Sequence, residues 1–168
     1  MRLTFSDATA EDVEAIAALQ NSVAEGLTAR HGKGHWSAAA TARAVAHSLK
    51  HARIRIGRSG GTIATVLRLA KKKPWAIDVA YFTPARLPLY LTGMAVAPEH
   101  QRRGLGRLAV KDAEAVALGW PADAIRLDAY DAEAGAGGFY LECGYQERGR
   151  VVYRNAPLIY YELLLKTK

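Results

Sequence analysis

The amino-acid sequence predicts an α/β fold: one mixed, mostly antiparallel sheet with helices on both faces, in a single domain over residues 1–168. Three observations carry this expectation. Short apolar stretches of strand length recur along the chain, several bounded by glycine or proline. Three longer stretches instead repeat apolar side chains at helical spacing. The apolar run at 89–98 then passes into a helix-patterned run at 105–119 through Gln101-Arg102-Arg103-Gly104-Leu105-Gly106.

In chain order, residues 2–6 alternate and read as a first strand. Thr9 with Asp12 three residues on is a weak capping box, followed by the stripe Val13, Ile16, Ala17, Val23, Ala24 and Leu27. Gly32, Gly34 and Trp36 mark a loop, and Ser37 opens a second helix to about Leu49. Residues 54–57 and 62–70 pair across Arg58-Ser59-Gly60-Gly61 as a hairpin. The segment 71–88 holds Pro74, Pro84 and Pro88 and reads as irregular, with one short strand around 76–82. After the strand at 89–98, Leu105, Leu108, Ala109, Ala113, Val116 and Ala117 outline a helix that Gly119 closes. A strand at 124–131, a short helix carrying Phe139 and Tyr140, and strands at 146–154 and 158–165 complete the order βααβββαβαββ.

Half the residues are apolar, enough for a sizeable core. No run of eighteen apolar residues suggests a membrane span, and the N-terminus turns polar too soon for a signal peptide. The single cysteine, Cys143, excludes an internal disulfide and suits a reducing cytoplasm. The net charge of +7 draws anions, yet the positive residues are scattered and Lys71-Lys72-Lys73 reads as a solvated turn. A ligand carrying several phosphates accounts for part of that balance; no nucleic-acid or membrane partner is required, and a monomer or homodimer is expected. His31/His35 and His47/His51 have i, i+4 spacing but lack a third ligand, so no metal is expected.

The junction at 101–106 places two glycines and two arginines where a loop becomes a helix N-terminus. Unpaired N–H groups and the positive end of the helix dipole make that an anion site, suited to a pyrophosphate. A P-loop would need Lys-Ser or Lys-Thr after its last glycine, whereas Arg107-Leu108 follows. The looser dinucleotide pattern fits Gly104 to Ala109, with Asp128 about twenty residues on. Against it, a polar loop separates the strand from the glycines, and about 40 residues after Asp128 are too few for a second nucleotide-binding half.

Strand, Gln-x-x-Gly-x-Gly, helix, strand and Phe139-Tyr140-x-x-x-Gly144-Tyr145 in this order resemble the GNAT superfamily of acetyl-coenzyme A-dependent N-acetyltransferases. The resemblance covers about residues 89–145. It implies a sheet splayed between the strands at 89–97 and 124–131, with the pantetheine arm of coenzyme A entering the gap. Met94 and Ala95 would then line the pantetheine by backbone contact, and the N–H around Val96 would hold the thioester carbonyl oxygen. Gln101, Arg102, Arg103, Gly104, Leu105, Gly106 and Arg107 would seat the pyrophosphate. Tyr140 matches the family tyrosine that protonates the departing thiolate.

The family usually has asparagine where Glu133 stands; its carboxylate reads as a general base or as a cap on the following helix. Other base candidates are His35, Glu25, Asp128 and Asp131, alongside a water chain. Trp36, Tyr81 and Tyr90 are candidate walls for the acceptor. The resemblance implies direct attack of a primary amine in a ternary complex, the acceptor being a small-molecule amine or amino-acid derivative. The alternatives are a protein N-terminus or lysine as acceptor, and a non-catalytic coenzyme A-binding module.

Overall fold

The computed structural model describes residues 2–166; Met1, Thr167 and Lys168 of the span expected as one domain lie outside the described residues. The elements are β1 (Thr4–Asp7), α1 (Val13–His31), α2 (Ala42–Leu49), β2 (Arg53–Ser59), β3 (Thr62–Ala70), β4 (Pro88–Val96), α3 (Leu105–Gly119), β5 (Ala124–Tyr130), α4 (Gly137–Glu142), β6 (Gln146–Tyr153) and β7 (Ala156–Leu164). The strands form one seven-stranded mixed sheet in the order β1-β2-β3-β4-β5-β7-β6. The ladders β1/β2, β2/β3, β5/β7 and β6/β7 are antiparallel. The β4/β5 ladder is parallel and joins Pro88, Leu89 and Tyr90 to Ala124, Ile125 and Arg126.

The chain forms two compact units, one from Met1–Leu69 and Thr92–Ala113, the other from Ala70–Leu91 and Glu114–Lys168. Strand β4 and helix α3 each give residues to both. In the first unit, the apolar faces of α1 and α2 bury Ile16, Leu19 and Val45 with Ile54, Ile56 and Val66 from the sheet and Ala95 from β4. A charged clamp holds the same unit. Arg55 of β2 donates to both carboxylate oxygens of Asp112 on α3, at 2.7 and 2.8 Å, and to Asp7 of β1 at 3.0 Å. Such a two-point guanidinium–carboxylate pair fixes direction as well as distance, so the middle of α3 is tied to the sheet. In the second unit Ile77, Phe82, Tyr90 and Tyr160 pack together.

Asp12 accepts the Thr9 N–H at 2.8 Å, the carboxylate half of the expected capping box, although the first turn is a 3-10 helix at Ala10–Asp12. Two expected elements differ. The second helix does not start at Ser37: a 3-10 turn covers His35–Ser37, and Thr41 is the true N-cap, accepting the Ala44 N–H at 3.1 Å. No strand forms around 76–82. Asp78 instead caps a 3-10 turn at Val79–Tyr81 by accepting the Ala80 N–H at 3.0 Å. On α3, Leu108 points outward at 42 % exposure and Val110 takes its place in the buried face.

Candidate functional site

In the first unit, β4 leads through Ala97 and a 3-10 turn at Pro98–His100 into the loop before α3. The Ala97 N–H reaches the Ala64 carbonyl at 2.8 Å, anchoring the strand end to β3. Gln101 braces the loop: its side-chain amide donates to the Val96 carbonyl at 3.1 Å, and its backbone N–H to Pro98 at 3.3 Å. Beyond it the backbone is strained. Arg102 has φ 60° and Gly104 φ 78°, both left-handed, and only glycine adopts that region without cost. A Cβ built on Gly104 would meet nothing within 4 Å, so the space over the loop is open. The first N–H groups of α3 have no intrahelical acceptor, and the exposed Arg102, Arg103 and Arg107 flank them along the chain. Leu105 is buried and serves as the hydrophobic pin of the turn. The sequence expectation of backbone donors from Gln101 onward is narrowed, since the Gln101 N–H is already engaged.

In the second unit, Tyr140 lies on α4, 6 % exposed, with ring centroids 5.2 Å from Phe139, 5.6 Å from Tyr145 and 6.1 Å from Tyr161. Burial pushes its phenol well above the ordinary value, with the Cys143 thiol and the Asp128 carboxyl adding to the shift. Tyr145 is also buried, and its hydroxyl has no hydrogen-bond partner among the described residues. Asp128 lies on β5 directly opposite Tyr160 of β7. Burial raises its carboxyl pKa, and its charge in turn acts on Tyr130, Tyr140 and Tyr160. Glu25, His35 and Glu133 are exposed, and Asp131 pairs with Arg150 at 3.2 Å. Of the base candidates, Asp128 is therefore the one that is half-buried, with a pKa that burial raises. Glu133 does not cap α4: the N-cap is Ala136, without a side-chain bond.

The aromatic candidates part company. Tyr81 lines a cavity of about 630 Å³ in the second unit, with Trp75, Asp78, Val151, Tyr153 and Tyr160 among its other walls. Tyr90 is 4 % exposed and packs in the core, its hydroxyl accepting from Arg126 at 3.2 Å. Trp36 belongs to the first unit and folds back on its own loop, where its indole N–H reaches the Gly32 carbonyl at 3.0 Å. Trp75, missed by sequence reasoning, is 82 % exposed at the cavity wall.

The model of the Acetyltransferase (GNAT) family matches residues 35–145, which span the β4–α3 loop and Tyr140. The chain belongs to the GNAT acetyltransferase family. Acetyl transfer from acetyl-CoA is the family's reaction, and this acetyltransferase shares its fold with solved members. An N-acetyltransferase from Staphylococcus aureus Mu50 superposes with TM-score 0.72 at 16 % identity, covering 99 % of this chain and 100 % of that one. The ribosomal-protein-S18-alanine N-acetyltransferase from Escherichia coli gives 0.71 at 15 %, covering 99 % and 96 %. The structure of yncA from Salmonella typhimurium with its cofactor acetyl-CoA gives 0.71 at 15 %, covering 99 % and 95 %. No curated protein sequence matches this acetyltransferase. Among the described residues, no helix is long and apolar enough to cross a membrane.

Proposed function

We propose that residues 1–168 act as one catalytic domain that acetylates the primary amine of a small molecule or amino-acid derivative, by direct attack in a ternary complex. The observation that carries the cofactor assignment is the left-handed pair Arg102 and Gly104 under open space at the start of α3, with exposed Arg103 and Arg107 beside them in the chain. That arrangement fits a pyrophosphate: backbone donors from 102 to 106 point at it, and guanidiniums neutralise its charge. Gln101 acts from beneath by tying the loop to Val96. Met94 and Ala95 offer backbone contacts to the pantetheine, and the Val96 N–H orients the acyl oxygen.

Acetyl-CoA supplies the acetyl thioester, the electrophile. The protein's part is to manage protons and position. The incoming ammonium must lose a proton before it can attack, and Asp128, with its raised carboxyl pKa, is assigned that proton. The departing sulfur takes a proton from the Tyr140 hydroxyl, and the second proton of the attacking nitrogen passes to the phenolate as the amide forms, restoring the phenol that burial favours. Glu133, exposed and without a capping bond, is assigned no proton. In the second unit, the wall formed by Trp75, Tyr81 and Tyr153 is proposed to hold the apolar part of the acceptor, while Tyr90 packs in the core and Trp36 serves its own loop.

The test is thiol release from acetyl-CoA in the presence of a panel of amines, amino-acid derivatives and peptides. Turnover on a small amine is expected. Tight coenzyme A binding without turnover on any acceptor would favour a coenzyme A-binding module instead, and turnover confined to peptides would favour a protein acceptor.

A further inference from the structure

Arg68 of β3 carries a charge for which the fold provides no counter-ion. Its Nη1 donates to the Ser48 hydroxyl at 2.9 Å, while its Nε is buried without a hydrogen-bond partner. No carboxylate pairs with it among the described residues, and burial alone pushes its pKa down. Arg68 is half-buried, and the desolvation cost of its unpartnered Nε is one that a bound anion would offset.

The surroundings are consistent with a bound anion. A cavity of about 190 Å³ opens at Arg68, with Ile16, Ala44, Val45 and Val66 as apolar walls and Gln20 and Ser48 as neutral polar ones. Across from it, Gly93 of β4 is solvent-exposed with φ 61°, and a Cβ there would approach the Arg68 Nε to 2.9 Å. Glycine at 93 thus keeps the guanidinium reachable. All these residues belong to the first unit, so the cavity is complete within one compact body.

We infer that Arg68 binds the carboxylate of the acceptor, so that the amine substrate is an amino acid or another small amino-carboxylic acid. No second cation lines the cavity, so the site neutralises one negative charge: a carboxylate, not a doubly charged phosphate. Apolar walls strengthen the pairing by lowering the local dielectric. A volume of about 190 Å³ admits the acid-bearing end of a ligand but not a folded peptide. Gly93, which faces Arg68, lies three residues before Val96, roughly 10 Å at the rise of a strand, so the carboxylate site borders the strand that carries the proposed acyl seat. This inference rests on the acetyl-transfer reading and narrows its acceptor.

The experiment is calorimetric titration of the wild type and Arg68→Gln with a panel of N-acetyl amino acids, each as the free acid and as its methyl amide. These product-like probes bind without turnover. At least one free acid should bind the wild type tenfold or more tightly than its amide, and Arg68→Gln should erase that gap. Ligand-free Arg68→Gln should melt at or above the wild-type temperature, because an uncompensated half-buried charge has been removed; coenzyme A titration confirms that the variant is folded. The inference is overturned if no acid outbinds its amide, if the gap survives in Arg68→Gln, if inorganic phosphate outbinds every acid, or if the variant melts lower and loses coenzyme A. Absence of acetyl transfer on every amine with the gap intact would count against the acetyl-transfer reading and leave the Arg68 site standing.

Discussion

Tyr140 and Asp128 have pKa values shifted in the same direction, with opposite consequences for catalysis. Burial keeps the Tyr140 phenol protonated across any practical pH range, so its proton is always present and it adds no limb to a pH profile, although the same shift makes it a weaker acid. Asp128 must be ionised to accept a proton, and burial raises the pH at which that happens. Its effect on stability follows by linkage. At pH below the ordinary carboxyl value both folded and unfolded chains hold the proton; as pH rises toward the raised folded value, the unfolded chain ionises first and stability is lost. Asp128→Asn should therefore raise the melting temperature at neutral pH and change it little below about pH 4. The same variant should lower kcat/KM about 10²-fold and abolish its acid limb, the size expected for a lost general base. Tyr140→Phe should lower kcat about 10²-fold with the limb in place and coenzyme A affinity nearly unchanged. An acid limb that persists in Asp128→Asn would assign the proton to water or another group.

At the level of elements, the segment between β3 and β4 shows what the sequence concealed. Its end is held by a buried ion network: Glu162 of β7 accepts from Arg126 of β5 at 2.9 Å, from Arg148 at 3.0 Å and from the Thr83 N–H at 3.2 Å, while Arg126 donates onward to Tyr90 and the Thr83 carbonyl. Glu162 is 1 % exposed and Arg126 4 %, so removing Glu162 leaves the buried Arg126 charge uncompensated. Glu162→Ala should cost about 3–5 kcal/mol, a fall in melting temperature of roughly 6–20 °C for a domain of this size. A smaller fall would mean that water reaches Arg126.

Local pattern revealed what local interactions decide. Helix α3 runs over Leu105–Gly119 as expected because its apolar spacing and terminal glycine agree. Residues 37–41 misled because a run of alanines has no face, and the choice between Ser37 and Thr41 as cap is made by the turn around Trp36. Around 76–82, Tyr160 decides: its hydroxyl donates to the Ala76 carbonyl and accepts the Asp78 N–H at 3.1 Å, bonds made from more than 80 positions away. Arg68 was equally hidden, since a charged residue in a strand reads as facing water until α2 is seen to place Ser48 against it. The loop proposed to seat the pyrophosphate stood out as a candidate because its glycines and arginines are contiguous. The acceptor residues were not, because they come from separate elements.

For the molecule as a whole, the net charge of +7 and the exposed arginines at 102, 103 and 107 favour a polyanionic ligand, and binding such a ligand stabilises the entire folded chain. Coenzyme A at one hundred times its Kd should add about 2.7 kcal/mol, a rise in melting temperature of roughly 5–11 °C. Part of the affinity comes from exposed charges, so the rise at fixed ligand concentration should shrink with added salt. Gly104→Val separates the loop from general charge attraction. It leaves every arginine in place but puts a β-branched side chain at φ 78°, a conformation costing L-residues about 1–2 kcal/mol, and fills the open space above the loop. The ligand-free variant should melt only a few degrees lower, and coenzyme A should no longer raise that temperature. An undiminished rise in Gly104→Val would show that the phosphates are held elsewhere, and an equal rise with a nicotinamide dinucleotide in the wild type would favour the dinucleotide pattern at Gly104 to Ala109.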